Sequence, residues 1–231
     1  MIKLDLQYFG GRGASGGGGG GATGELTLPN GSKIEFEGTL HYDGDDKALT
    51  GAARTAVVAW EDKRRTAKVE YGYAMDANGN QIGTEVRGGK GSVRVPYSFH
   101  TTPDSTFTHI HPRSDGMLGG TFSSADLYNF ANYGNKTGRA AAKEGTYSIS
   151  KTKNFNAAGF KSYVTQSQSA CRKNQSARDA KITKDFKSGK ITYDQYKVQV
   201  AKSFNTFLVE LHGAYRSGQK QYGYTYTLEK A

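Results

Sequence analysis

The chain has 231 residues, 35% of them hydrophobic, with 15 Tyr and 11 Phe to supply core where Leu and Ile are sparse. One cysteine, Cys171, excludes an internal disulfide and a Cys-rich zinc knuckle and suggests a reducing cytoplasm; the absence of any 18-residue apolar run excludes a membrane-spanning helix. Net charge is +10 and lopsided: residues 1–135 carry 13 Lys+Arg against 15 Asp+Glu, and residues 136–231 carry 18 against 6, so a polyanion such as nucleic acid is a conceivable partner of the C-terminal part, against the plainer reading of solvated lysine-rich helices.

Met1 to Phe9 alternates Ile2, Leu4, Leu6 and Tyr8 with polar residues, as does a short arm that adds to a partner's sheet edge. It has one early lysine and no apolar stretch, so it does not read as a secretory leader. Residues 10–24 hold ten glycines in fifteen positions, a flexible linker. The folded part is predicted from Glu25. Two short strands flank Pro29-Asn30-Gly31-Ser32, a turn signal. His41, Asp43, Asp45 and Asp46 read as a solvated acidic loop that lacks the spacing of a calcium loop. Asp46 to Thr66 is predicted helical, with Leu49, Ala53, Val57 and Trp60 on one face and an exposed last turn from Glu61 to Arg65. Val69 to Met75 and Gln81 to Arg87 form a hairpin about the Asn-Gly pair at Asn78-Gly79. Ser92 to Phe99 reads as a further strand. The Gly88–Ser92 run, GGKGS, fails as a phosphate loop, because Lys90 is followed by Gly91 and no helix follows.

Thr106 to His111 is predicted to be a strand, and it carries the most informative residues. His109 and His111 are two apart, so their side chains share a face roughly 6.5 Å apart along the strand and can converge on one metal ion. Pro112 ends the strand. Asp126 follows in the first turn of a helix from Ser123 or Ser124 to Tyr133, where Ser123 to Asp126 also suits an N-cap. Two histidines and a carboxylate, with a fourth position open, is the ligand count of a catalytic zinc site. His100 lies nearby in a loop-like segment and is a candidate third ligand. Thr146 to Ser150 reads as a strand, Ala157 to Lys187 and Thr192 to Ser217 as two long helices, and Tyr222 to Leu228 as a closing strand. Cys171 reads as an ordinary helix cysteine rather than a reactive thiol.

Two resemblances add to this reading. The first fifteen residues, MIKLDLQYFGGRGAS, are similar to the N-termini of minor head and morphogenesis proteins of phages that infect Gram-positive bacteria. That resemblance implies a phage protein placed in the host cytoplasm or the virion, with phage head proteins as partners of the arm. From Ala67 to Ser150 the chain resembles the JAB/MPN metallopeptidase-like superfamily, through Glu70 ahead of a hairpin, His109-Ile110-His111-Pro112, and Ser123-Ser124-Ala125-Asp126. This resemblance implies an α+β fold with a mixed sheet flanked by helices, and Zn²⁺ held by His109, His111 and Asp126. It also implies Glu70 as general base, Ser123 as oxyanion donor, and a protein or peptide substrate. Eleven residues separate His111 from Ser123 where that superfamily has seven. Ser124 therefore rivals Ser123, and Glu85 on the return strand rivals Glu70. The expected organisation is an arm (1–9), a linker (10–24), a metal-site domain (25–156) and a basic helical region with a closing strand (157–231).

Overall fold

The computed structural model describes residues 24–28, 31, 33–36, 40–113 and 117–231. The predicted arm, the linker up to residue 23, most of the Pro-Asn-Gly-Ser turn and the middle of the loop after Pro112 lie outside the described residues.

The fold is α+β. Strands β1 (Gly24–Thr27) and β2 (Lys33–Phe36) form a separate antiparallel pair. A six-stranded mixed sheet follows, in the order β4 (Val86–Arg87), β3 (Tyr71–Met75), β5 (Thr106–Ile110), β6 (Thr137–Ala142), β7 (Gly145–Lys151) and β8 (Tyr224–Lys230). All neighbours are antiparallel except β5 and β6. A parallel pair needs a crossover, and helix α3 (Ser124–Asn132) supplies it. The end of β5 and the start of α3 therefore meet at one edge of that crossover, where open sheets place their ligands.

Helix α1 (Gly51–Arg64) covers one sheet face, its Ala53 and Val57 packing with Leu49 and Met75. On the other face α3, α4 (Ala157–Lys187) and α5 (Tyr193–Ser217) bury Phe122, Leu127, Phe130, Phe160, Val164 and Leu211 against Ala140, Ile149 and Leu228. Caps set the helix starts: Ser123 and Thr192 each close a reciprocal capping box, and Asn156 accepts from Gly159 N–H. Two short helices, α2 (Ser98–Thr101) and α6 (Gln219–Tyr222), complete the set.

Several expectations are corrected. In the last turn of α1 Asp62 and Lys63 are exposed as expected, but Glu61 is not. Glu61 is fully buried and accepts from the equally buried Arg139 through both carboxylate oxygens, at 2.8 and 3.0 Å. The row of side chains beneath α1 (Thr108, Arg139, Ser148) is polar, and its hydrogen bonds go to Glu61 and Asp46. Asp46 is accordingly buried rather than part of a solvated loop. The helix starts at Gly51, five residues later than expected, because residues 41–50 are used to reach Glu229 and β7. Ser92 to Val95 forms no strand; it lies across Gly72, where a Cβ would come within 2.6 Å of Val95. His100 lies in α2 rather than in a loop. Strand β6, Thr-Gly-Arg-Ala-Ala-Ala, was not expected. Among the described residues no helix is long and apolar enough to cross a membrane.

Candidate metal centre

β5 runs one register step beyond its last residue, since His111 N–H still donates to Ala141 C=O at 2.8 Å. His109 lies within β5 and His111 on that extension, two residues apart and so on one face of the sheet. His109 is buried between Phe107, stacked at 5.5 Å between ring centroids, and Phe122. Asp126 arrives from the first turn of α3, where its Oδ2 accepts from Ser123 N–H at 2.8 Å and from Ser123 Oγ at 2.7 Å. The positive end of the helix favours its anionic form there.

The three side chains converge. His109 Nε2 and His111 Nε2 are 2.8 Å apart, and Asp126 Oδ2 lies 3.4 Å from the first and 3.9 Å from the second. A triangle with those sides has a circumradius of about 2.0 Å, so one point lies at that distance from all three donors. Zinc–nitrogen and zinc–carboxylate bonds are about 2.0–2.2 Å. The donor set, two imidazoles and a carboxylate, is also the chemistry zinc takes. His109, His111 and Asp126 are the one group of this kind found among the described residues.

Electrostatics fit a cation site. Burial alone disfavours a charged His109, but the carboxylates of Asp126 and Glu70 outweigh it and raise its pKa. Burial and the neighbouring His109 push His111 down to about 3, so it is neutral. Burial works against an ionised Asp126, yet the two histidines and the Ser123 hydroxyl hold it well below the usual carboxylate range. His111 Nδ1 faces the Gly120 carbonyl oxygen at 2.9 Å, which only accepts. The His111 proton is therefore on Nδ1, its Nε2 keeps a lone pair, and the 2.8 Å contact has His109 Nε2–H as donor.

Glu70 stands immediately before β3. Its backbone pairs with Gly88 and Gly89 across the start of the hairpin. Burial raises its pKa to about 7, against the pull of His109, and Asp126 adds to the rise. Of its rival, the structure says where it goes: Glu85 accepts from Trp60 Nε1 and pairs with Arg64 at 2.9 Å, tying the hairpin to α1. Ser123, not Ser124, touches Asp126. His100 falls outside the ligand group. It stacks near Phe107 and Tyr133, and burial lowers its pKa. Behind His109 lies a cavity of about 10 Å³, room for about one water, lined by His100, His109, Asp126 and Asn135. His109 Nδ1, His100 Nδ1 and Asn135 Oδ1 are buried there without hydrogen-bond partners. Cys171 is buried and its thiol pKa is raised by burial, which makes it inert.

One functional-looking residue escaped the sequence reading. Glu144 accepts from Gly119 N–H and Gly120 N–H, on the residue whose carbonyl faces His111 and the residue before it. In sequence it sits in Lys143-Glu144-Gly145, indistinguishable from an ordinary hairpin turn. Compared with family models, curated proteins and solved structures, the chain matches none of them, so its chemistry is read from the site alone.

Proposed function

We propose that this chain is a zinc-dependent hydrolase of JAB/MPN-like fold that cleaves amide or isopeptide bonds in a protein or peptide. The observation that carries the reading is the donor triangle, with one point about 2.0 Å from His109 Nε2, His111 Nε2 and Asp126 Oδ2. Those three residues would hold the ion. What zinc supplies when bound is acidification of a water toward a pKa of about 7 and polarisation of a carbonyl. Glu70, with a carboxyl raised to about 7, is suited to take a proton from the attacking water and return it to the leaving amine. Ser123 Oγ is the donor for the oxyanion of the tetrahedral intermediate, after its hydroxyl turns away from Asp126. The phage setting, in the host cytoplasm or the virion and with head proteins as partners of the arm, rests on the first fifteen residues alone.

The test is zinc analysis of tag-free protein, together with hydrolysis of fluorogenic α-peptide and lysine ε-isopeptide substrates. About one zinc per chain and chelator-sensitive cleavage are expected. Less than about 0.2 zinc per chain, with no thermal shift on adding zinc or chelator, overturns the reading.

A second reading concerns the basic helices, and a specific feature favours it. From residue 172 to 202, the far ends of α4 and α5, Ile182 is the only buried residue. This projecting hairpin carries nine Lys+Arg against three Asp+Glu. Phe186, Tyr193 and Tyr196 cluster at its tip, with Tyr193 61% exposed. Lysines for phosphates beside aromatic faces for bases are what single-stranded nucleic acid binding requires. The measurement is fluorescence anisotropy of a labelled oligothymidine across a salt series. Affinity falling with a log–log slope of several units is expected; no binding, or binding indifferent to salt, removes the reading.

A further inference from the structure

The two nitrogens of His111 have separate tasks. Nε2 belongs to the donor triangle, and Nδ1–H donates to the Gly120 carbonyl at 2.9 Å. Whatever holds that carbonyl in place selects the tautomer whose Nε2 lone pair is free for a metal. The residue that bears the carbonyl is held, with the one before it, by Glu144, at the turn between β6 and β7. Its Oε2 accepts from Gly119 N–H at 2.9 Å and its Oε1 from Gly120 N–H at 2.8 Å, while the Tyr147 hydroxyl donates to Oε1 at 3.1 Å. Hydrogen bonds to an ionised acceptor are roughly twice as strong as neutral ones, and a carboxylate spanning two successive amides fixes direction as well as distance.

Both residues it grips sit where glycine is favoured. Gly120 has φ +84°, and a Cβ there would lie 2.7 Å from Leu208; a Cβ on Gly119 would lie 2.4 Å from that of Ala142. Both residues lie in the eleven-residue connection from His111 to Ser123. Leu118 N–H, one residue earlier, is tied to Asn205 on α5 at 3.1 Å. A long glycine-bearing connection would leave its carbonyls free to wander. Instead, the carbonyl that faces His111 belongs to a residue that is clamped together with its predecessor.

We infer that Glu144 is a positioning residue for the metal centre: by clamping Gly119 and Gly120 it holds the Gly120 carbonyl against His111 Nδ1–H and keeps His111 in the metal-competent tautomer. Its consequence for metal affinity rests on the zinc reading above; its consequence for the tautomer does not.

The experiment reads both. In metal-free, tag-free, ¹⁵N-labelled protein at neutral pH, side-chain ¹⁵N–¹H correlation spectra report which nitrogen of His111 is protonated. Wild type is expected to show Nδ1–H. Glu144→Ala removes both acceptors, and Glu144→Gln, of the same shape, turns one of them into a donor facing an N–H. In both variants an Nε2–H population is expected to appear, and zinc affinity, measured by competition with a chromophoric chelator, to weaken about tenfold to a hundredfold. Glu144→Gln keeps the test alive if the alanine variant fails to fold. Tyr147→Phe, which removes one hydroxyl and leaves the clamp, is expected to keep the wild-type tautomer. An Nε2–H His111 in wild type, or an unchanged tautomer in both Glu144 variants, overturns the inference. If the tautomer responds as expected while wild type takes up no zinc, the clamp stands and the zinc reading falls.

Discussion

Arg139 and Glu61 meet fork to fork, Nε to Oε1 at 2.8 Å and Nη2 to Oε2 at 3.0 Å, and neither side chain reaches solvent. Arg139 also spans to Glu229, at 3.0 and 3.1 Å. The pair ties α1 to β6, the strand beside the one that carries both histidines. Removing one partner leaves the other charge buried and unmatched, which costs about 3–5 kcal/mol. Arg139→Met is worse placed than Glu61→Gln, because it strands two carboxylates rather than one cation that keeps Glu229. Urea denaturation should rank the variants in that order, with Arg139→Met losing at least about 3 kcal/mol. Equal stabilities would show that the buried network is neutral to folding.

The same network sets the response to acid. Burial works against an ionised Glu229, but hydrogen bonds and charge from Arg139 and Arg54 prevail and lower its pKa to about 2. A carboxylate depressed in the folded state contributes stability that is fully present above its unfolded value. That contribution is lost as pH falls from about 4.5 through about 2. The shift corresponds to about 3 kcal/mol at neutral pH. Wild type should therefore lose stability steeply below about pH 4.5, and Glu229→Gln should be weaker at pH 7 with a flatter acid limb. Parallel acid limbs in the two proteins would assign the loss to other groups.

The donor triangle predicts stabilisation by metal. At free zinc of 100 times Kd, wild type should gain about 2.7 kcal/mol, or about 5–10 °C in Tm for a chain of this size. His109→Ala, His111→Ala and Asp126→Ala should each abolish that gain. Calorimetric scans with and without zinc decide it. A gain that survives all three substitutions would move the ion elsewhere.

How much of this was legible in the sequence depends on whether the partners are near or far along the chain. The long helices were readable, since their ends are marked by local caps such as Thr192 with Gln195. His109, His111 and Asp126 were readable because one strand and one helix start deliver them. β6 was not. Thr-Gly-Arg-Ala-Ala-Ala is buried on both faces, so it shows no alternation, and an arginine at its middle argues against burial. What neutralises Arg139 is Glu61 and Glu229, 78 and 90 residues away. Glu144 was hidden for the same reason: its partners lie 24 and 25 residues away, and they are backbone amides that leave no mark in the sequence. The predicted Ser92 to Phe99 strand failed because Gly72 opens a shallow seat in which Val93 and Val95 pack without pairing.

The serine question left by the long loop can be separated by stability and activity together. Ser123 caps α3 and donates to Asp126; Ser124 is the first helical residue and has neither contact. Ser123→Ala should cost about 1 kcal/mol through the lost cap, and about a hundredfold or more in turnover through the lost oxyanion donor. Ser124→Ala should change neither. Denaturation midpoints and kcat on the same preparations test it, and a large kcat loss in Ser124→Ala would reverse the assignment.

The two glutamates divide in the same way. Glu85 is occupied by Trp60 and Arg64, on the side of the hairpin that faces α1. Glu70 is half-buried, feels the charges of His109 and Asp126, and has a carboxyl that burial raises to about 7. As general base, Glu70 should be dispensable for holding zinc and indispensable for turnover. Glu70→Gln should keep about one zinc per chain and lose about 10²- to 10⁴-fold in kcat. Glu85→Gln should keep kcat and show a lower Tm through the loosened end of α1. Zinc content, kcat and Tm of the two variants, measured side by side, distinguish a base from a brace. Loss of zinc from Glu70→Gln would make that residue a ligand instead.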